Sequence, residues 1–261
     1  MDICILQRSL DWHHPAANRD GFQAMMEASE KSDLFILPET FTTGFSNDVE
    51  ELAEDMDGPS VEWMVDMAKA QKAAVCGSII IRSEGGIYNR MIWARPDGDI
   101  EYSDKRHLFR MADEHLHYNA GQDRRVVEWM GWRILLLVCY DLRFPVWSRN
   151  RYAKGTYEYD LVIYVANWPS PRHSAWETLL RARAMENLSP AVGVNRIGTD
   201  GNGIKYLGGS TIIDHLGQHV TRLDDMEAAG RGVLDISAIR EFRKRFPTGM
   251  DADEFSLSSD Q

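Results

Sequence analysis

Ile134-Leu135-Leu136-Leu137-Val138-Cys139 is a six-residue apolar run, and Tyr140-Asp141-Leu142-Arg143-Phe144-Pro145 follows it at once. A run that short and that apolar predicts a strand buried on both faces. The polar turn and Pro145 predict that the strand stops there and that a helix starts near Pro145, since proline suits a first helical turn. Cys139 then closes the strand, a rigid element that aims its thiol out of the sheet. An α/β enzyme holds a nucleophile in such a place. The competing reading is a small core residue, because free cysteine is among the most buried residue types.

Working outward, the pattern alternates. Strand Ile3–Leu6, helix Ala16–Glu30, strand Leu34–Leu37, helix Ser60–Gln71 and strand Ala74–Ile81 open the chain, which argues for an α/β class. Strands Tyr88–Arg95 and Ile100–Ser103 are expected to form a hairpin through Arg95-Pro96-Asp97-Gly98, a good turn sequence. Beyond Cys139 come strand Leu161–Val165 and helix His173–Asn187. Strands Ala191–Asn195, Ser210–Ile213, Gln218–Thr221 and Gly232–Asp235 follow, then a helix to Phe246. Two sheets packed face to face with helices outside would accommodate both the βαβ units and the hairpins. No Pro/Gly/Ser linker divides the chain. Residues 1–261 read as a single domain with 247–261 a C-terminal tail, polar and acidic from Asp251.

Composition narrows the class. Of 261 residues 44% are hydrophobic and 26% charged, the balance of a globular protein with a large core. The formal net charge of −11 argues against nucleic-acid or anionic-membrane partners. No apolar stretch reaches membrane-spanning length, and the first residues lack the basic and apolar regions of a signal peptide. The 3 cysteines show no metal spacing and favour a reducing cytoplasm. Cys4 and Cys76 lie inside apolar runs and read as core. His13-His14 and His115-x-His117 lack a partner spaced to complete a metal site. Gly201-Asn202-Gly203 lacks dinucleotide-loop spacing and reads as a turn. Neither a metal nor a cofactor is expected.

Two further polar residues sit just past strands. Glu39 lies in Leu37-Pro38-Glu39-Thr40-Phe41, and Lys105 in Asp104-Lys105-Arg106-His107-Leu108-Phe109. Alone, each reads as an ordinary surface residue. A carboxylate, an ammonium and a thiol at three strand ends suggest a common site.

The blocks LPETFTTGF, DKRHLF and VCYDLRFP, in that order, resemble the three signature blocks of the nitrilase (carbon–nitrogen hydrolase) superfamily. The likeness extends through YVANWPSPR, LLRARAMEN and GVNRIGTDGNG and so covers nearly the whole chain. DKRHLFRMADEHLHYNAG together with VCYDLRFPVWSRN looks like the bacterial omega-amidase branch, which includes 2-oxoglutaramate amidase. The segment Arg151–Glu158 is longer than that pattern leads one to expect. The resemblance implies a four-layer α-β-β-α sandwich built into homodimers, and a small-molecule amide substrate. It implies a catalytic triad at Glu39, Lys105 and Cys139, with Glu114 as the second glutamate often found near the site.

The chemistry of those residues agrees. A thiol is mostly protonated at neutral pH, and the Lys105 ammonium is expected to favour its thiolate. Glu39 suits a general base that later returns the proton to departing ammonia. Lys105 and the backbone N–H of Tyr140 suit an oxyanion. A small dicarboxylic monoamide also needs its free carboxylate held, for which an arginine fork serves. Arg143 and Arg172 are the candidates, with Phe41 and Trp168 as pocket walls. Arg183 and Glu186 are expected to pair on helix His173–Asn187. Another C–N substrate (a nitrile, an N-carbamoyl amino acid or a different amide) is the first alternative. A non-catalytic scaffold is the second, and it needs no such thiol–ammonium–carboxylate set.

Overall fold

A computed structural model of the chain describes residues 1–257. Apolar alternation along the first strand, Asp2–Gln7, sets the layering. Ile3 and Ile5 point into one core, while Cys4 and Leu6 point into another, as a two-residue period requires. The Cys4 side is covered by helices Pro15–Ala28 and Pro59–Gln71, through Phe22, Met26, Met64 and Met67. The Ile3 side meets a second sheet.

The first sheet runs in the order Ala228–Val233, Asp2–Gln7, Leu34–Ile36, Ala74–Ser83, Gly86–Ala94, Ile100–Asp104. The second runs His219–Arg222, Thr211–Ile213, Ala191–Asn195, Leu161–Ala166, Trp132–Val138, Val126–Trp129. In each sheet three central strands are parallel and the flanking ones antiparallel. Ser103 Oγ donates to the Leu136 carbonyl and joins the sheets. A side chain on Gly193 would strike Leu180 and Trp176, so that face of the second sheet carries helix His173–Glu186. Helix Ile236–Arg245 adds Ile239 to the same core. The result is the four-layer α-β-β-α sandwich.

Several elements depart from the sequence expectations. The strand before the nucleophile spans Trp132–Val138 and stops one residue before Cys139, which takes a left-handed φ of 44° and opens a 3-10 turn to Arg143. The helix at Pro145 is only four residues long. The last strand lies at Ala228–Val233, four residues earlier than Gly232–Asp235 at its start. Its Ala and Gly residues have little strand propensity. They fit because Gly230 and Gly232 leave room for Thr221 and Ile212 on the facing elements. Strand Val126–Trp129 was not expected; it returns through Met130-Gly131, both at positive φ, a two-residue hairpin turn. Residues 151–158 form a small hairpin, Tyr152–Ala153 paired with Thr156–Tyr157. Gly201-Asn202 turns between strands Ile197–Thr199 and Lys205–Leu207. In the expected tail, residues 248–251 form a 3-10 turn whose Gly249 N–H donates to the Tyr157 hydroxyl. The end of that tail, 258–261, lies outside the described residues. Among the described residues no helix is long and apolar enough to cross a membrane.

Candidate active site

Four strands end on one side of the sandwich, and the residue just past or near each end is polar: Glu39, Lys105, Cys139 and Asn167. This is the carboxyl-end crevice where open α/β sheets gather ligands. Glu39 and Lys105 come from the first sheet, Cys139 and Asn167 from the second. They meet at the floor of a cavity of about 550 Å³.

The floor is a buried charge network. Lys105 Nζ donates to Glu39 Oε1 at 2.9 Å and to Glu114 Oε1 at 2.8 Å. Glu39 is further fixed by Asn89 Nδ2 on Oε1 (2.7 Å) and by the Asn167 backbone N–H on Oε2 (2.6 Å). Glu114 Oε2 accepts the Phe109 backbone N–H. All three charged side chains are at most 1% exposed. Burial pulls the Lys105 ammonium toward its neutral form, but the Glu114 and Glu39 carboxylates outweigh it and hold its pKa well above the usual lysine range. Burial raises the Glu114 pKa against the pull of Lys105, with Glu39 adding to the rise.

Cys139 is 9% exposed, against 2% for Cys4 and 0% for Cys76, and it alone of the three lines the cavity. Burial, then the Glu39 charge, push its pKa well above that of a free thiol; Lys105 pulls the other way and does not prevail. The Lys105 ammonium therefore acts in the expected direction, against the larger effect of burial. The Cys139 thiol donates to the Asn167 carbonyl at 3.9 Å, and with its pKa raised, nucleophilic attack on this floor calls for a base. Cys4 and Cys76 are buried in the two cores, and burial raises the Cys4 thiol to about 11. The left-handed backbone at Cys139 costs a residue with a Cβ about 1–2 kcal/mol. Strain of this kind persists where the surroundings over-determine it.

The walls are aromatic and cationic. Tyr140, Arg143, Trp168 and Arg172 all line the cavity. Tyr140 packs edge-on against Phe109 and Phe144. The Arg143 guanidinium lies 5.2 Å from the Trp168 ring centre, and that of Arg172 lies 5.0 Å from Phe109. Arg172 Nη1 also approaches Met111 Sδ at 3.7 Å. Among the described residues neither arginine has a carboxylate partner. Trp168 is set by Asn195, whose Oδ1 accepts its backbone N–H at 2.8 Å. Arg183 pairs with Glu186 at 2.8 Å and also donates to the Leu142 carbonyl, behind the nucleophile turn rather than in the cavity.

Phe41 is a correction. It is fully buried against Phe22 and Trp63, under the first sheet's helices, and does not reach the cavity. Phe45 is the wall instead, with its ring centre 5.4 Å from Lys105 Nζ. The intervening residues form an irregular turn that includes Gly44 at φ 76°, so no periodicity distinguishes the two rings. Sequence reading also missed Asn89, Asn167, Asp141 and Tyr206. Asn167 was findable: it follows a six-residue apolar strand just as Cys139 does. Asn89 sits inside a strand and carries no such mark. Among the described residues no group of three or more His, Cys, Asp or Glu is placed to hold a metal.

The sequence profile of the carbon–nitrogen hydrolase family matches residues 11–244. The chain is 46% identical over 260 residues to the omega-amidase YafV of Escherichia coli K12, covering 98% of each chain. It is 34% identical to the 2-oxoglutaramate amidase of Bacillus subtilis, covering 94% of this chain and 95% of that one. A CN-hydrolase superfamily protein from Xanthomonas campestris, solved with an arsenic adduct in its active site, superposes with a TM-score of 0.96. It shares 50% identity over 99% of both chains.

Proposed function

The chain belongs to the carbon–nitrogen hydrolase family, and from that premise we propose that it hydrolyses the terminal amide of small dicarboxylic acid monoamides. 2-Oxoglutaramate is the type substrate, and the products are the acid and ammonia. The observation that carries this reading is a buried Glu39–Lys105 pair beside the Cys139 thiol, under a wall bearing two arginines without carboxylate partners.

Glu39 takes the Cys139 proton as sulfur attacks the amide carbon. The oxyanion is stabilised by the Lys105 ammonium and the Tyr140 backbone N–H. Glu39 returns the proton to nitrogen, the C–N bond breaks and ammonia leaves. A Cys139 thioester remains. Water then loses a proton to Glu39, hydroxide attacks the thioester carbon, the C–S bond breaks and the thiol recovers its proton. Glu114 shares the Lys105 ammonium and keeps it charged and in place. Arg143 and Arg172 hold the free carboxylate, while Trp168 and Phe45 enclose the carbon chain. The relatives named above as omega-amidase and 2-oxoglutaramate amidase support the substrate class.

The enzyme works as a homodimer in this proposal. Exposed Met185, Leu216, Phe246 and Met250 on the helical side of the second sheet support it.

Ammonia release is the test. Turnover should be fastest on 2-oxoglutaramate and succinamate and much slower on butyramide, butyronitrile, an N-carbamoyl amino acid and glutamine. A preference for the nitrile or the carbamoyl compound would replace this reading with the alternative C–N substrate.

A further inference from the structure

The proposed mechanism asks Lys105 and Cys139 to act on one carbonyl group, yet the two stand on different sheets. Sheet packing alone fixes their separation loosely compared with the ångström that catalysis requires. Besides the Glu39 contact to Asn167, a second buried side chain spans the gap next to the nucleophile. Asp141 Oδ2 accepts the Val138 backbone N–H at 3.0 Å, on the residue before Cys139. Its Oδ1 accepts the His107 backbone N–H at 3.0 Å and the ring Nδ1–H at 2.7 Å. Asp141 lies two residues after Cys139, and His107 two residues after Lys105. The carboxylate is 1% exposed, and the His107 ring stacks flat on Phe144 at 3.7 Å.

We propose that Asp141, clasped to His107, is a positioning residue that locks the Cys139 turn to the Lys105 loop and so sets the distance between thiol and ammonium. This rests on the functional reading above, in which those two groups share a substrate. The clasp also accounts for the left-handed Cys139. A carboxylate that binds the N–H just before the turn, and is itself gripped from the other sheet, over-determines that conformation. Three donors converge on Asp141, two of them from His107, so loss of the ring contact loosens the clasp without emptying it. Lys105 keeps its other backbone anchors, its N–H on the Asn89 carbonyl and its carbonyl on the Gly121 N–H. Its place on the first sheet therefore survives in a variant; what changes is its register with Cys139.

The test uses His107→Phe, Asp141→Asn and the double variant, assayed by ammonia release from 2-oxoglutaramate with thermal denaturation alongside. Phenylalanine keeps the stack on Phe144 and the backbone donor and removes only Nδ1. Its kcat should fall about ten- to a hundredfold, with KM within about twofold and the melting temperature nearly unchanged. Asp141→Asn should fall further, and the double variant should be no worse than Asp141→Asn, because both changes open the same clasp. Retention of kcat within about twofold in His107→Phe would overturn the proposal. So would losses that multiply in the double variant, or a fall in kcat that only tracks unfolding. A wild-type protein inactive on every ω-amide would refute the functional reading instead. The clasp is then judged by iodoacetamide labelling of Cys139, expected to be about tenfold slower in His107→Phe; an unchanged rate overturns it.

Discussion

At the floor of the cavity each charge has a partner. Lys105 lies between Glu39 and Glu114, and Asn89 and Asn167 hold Glu39 from two further directions. On the wall, half-buried Arg143 and Arg172 lie against rings and a thioether, with no carboxylate partner among the described residues. Solvation explains the contrast. Breaking a fully buried ion pair costs about 3–5 kcal/mol, so the floor groups must satisfy one another and are locked in one arrangement. A cation with access to water needs no such partner and can keep its donors for a ligand. The floor is built for one chemistry, while the wall is open to choice among substrates.

The first way to break this contrast is at the floor. Glu39→Gln keeps the shape and removes the base, so kcat should fall about 10²- to 10⁴-fold on charged and neutral amides alike. Burial, the largest cause of the raised thiol pKa, persists in the variant, so the missing base is still felt at neutral pH. A loss confined to charged substrates would place Glu39 in recognition instead.

At the wall the loss should depend on the substrate. Arg143→Met and Arg172→Met are compared on 2-oxoglutaramate, succinamate and butyramide. Losing a charge-assisted fork costs about 2–4 kcal/mol, or roughly 30- to 1000-fold in kcat/KM. Whichever arginine holds the carboxylate should show that loss on the two anions and little on butyramide. Equal losses on all three substrates would make the arginines structural.

Thiol labelling sharpens the comparison. Cys139 opens to the cavity, whereas Cys4 and Cys76 lie in the cores. Peptide mapping after brief alkylation should find Cys139 modified at least about tenfold faster than either, as expected from exposure and thiolate access. Because the folded state holds the Cys139 proton more tightly than a free thiol would, thiolate forms only as pH rises past the ordinary range. The labelling rate should therefore still climb at pH 9. A plateau below pH 7 would mean a resting thiolate–ammonium pair.

The smallest effect belongs outside both regions. Gly155 turns the 151–158 hairpin at φ 79°, with nothing within 4 Å of an added Cβ. Gly155→Ala should cost about 1–2 kcal/mol of stability through that conformation, read by denaturant titration, and leave kcat unaltered.

The floor was more legible in the sequence than the wall. Glu39 and Cys139 stand at or near the ends of apolar runs, and such runs announce themselves; Lys105 follows a mixed strand, Ile100–Asp104, and was marked by the DKRHLF block instead. Register at those ends was less legible. The Cys139 strand stopped a residue early because the turn takes a left-handed residue, which no apolar count reveals. Asp141 and Asn89 are single polar residues whose partners are distant in sequence, His107 at 34 residues and Glu39 at 50, so local patterns are silent about them. Phe41 and Phe45 differ only in which way an irregular turn points them. Strand Val126–Trp129 was hidden by its brevity, although the Met130-Gly131 turn beside it was a usable sign. Strand Ala228–Val233 was misplaced because close sheet packing, not propensity, selects its glycines.

The central claim is that Cys139 is the atom that attacks the amide. The most direct measurement is ammonia release from 2-oxoglutaramate by Cys139→Ala, with circular dichroism to show that the fold is retained. Removing one sulfur leaves only a small cavity at a turn already open to the pocket, so the variant should fold. The account predicts no turnover above the uncatalysed rate in folded Cys139→Ala protein. Activity within about tenfold of wild type would contradict it.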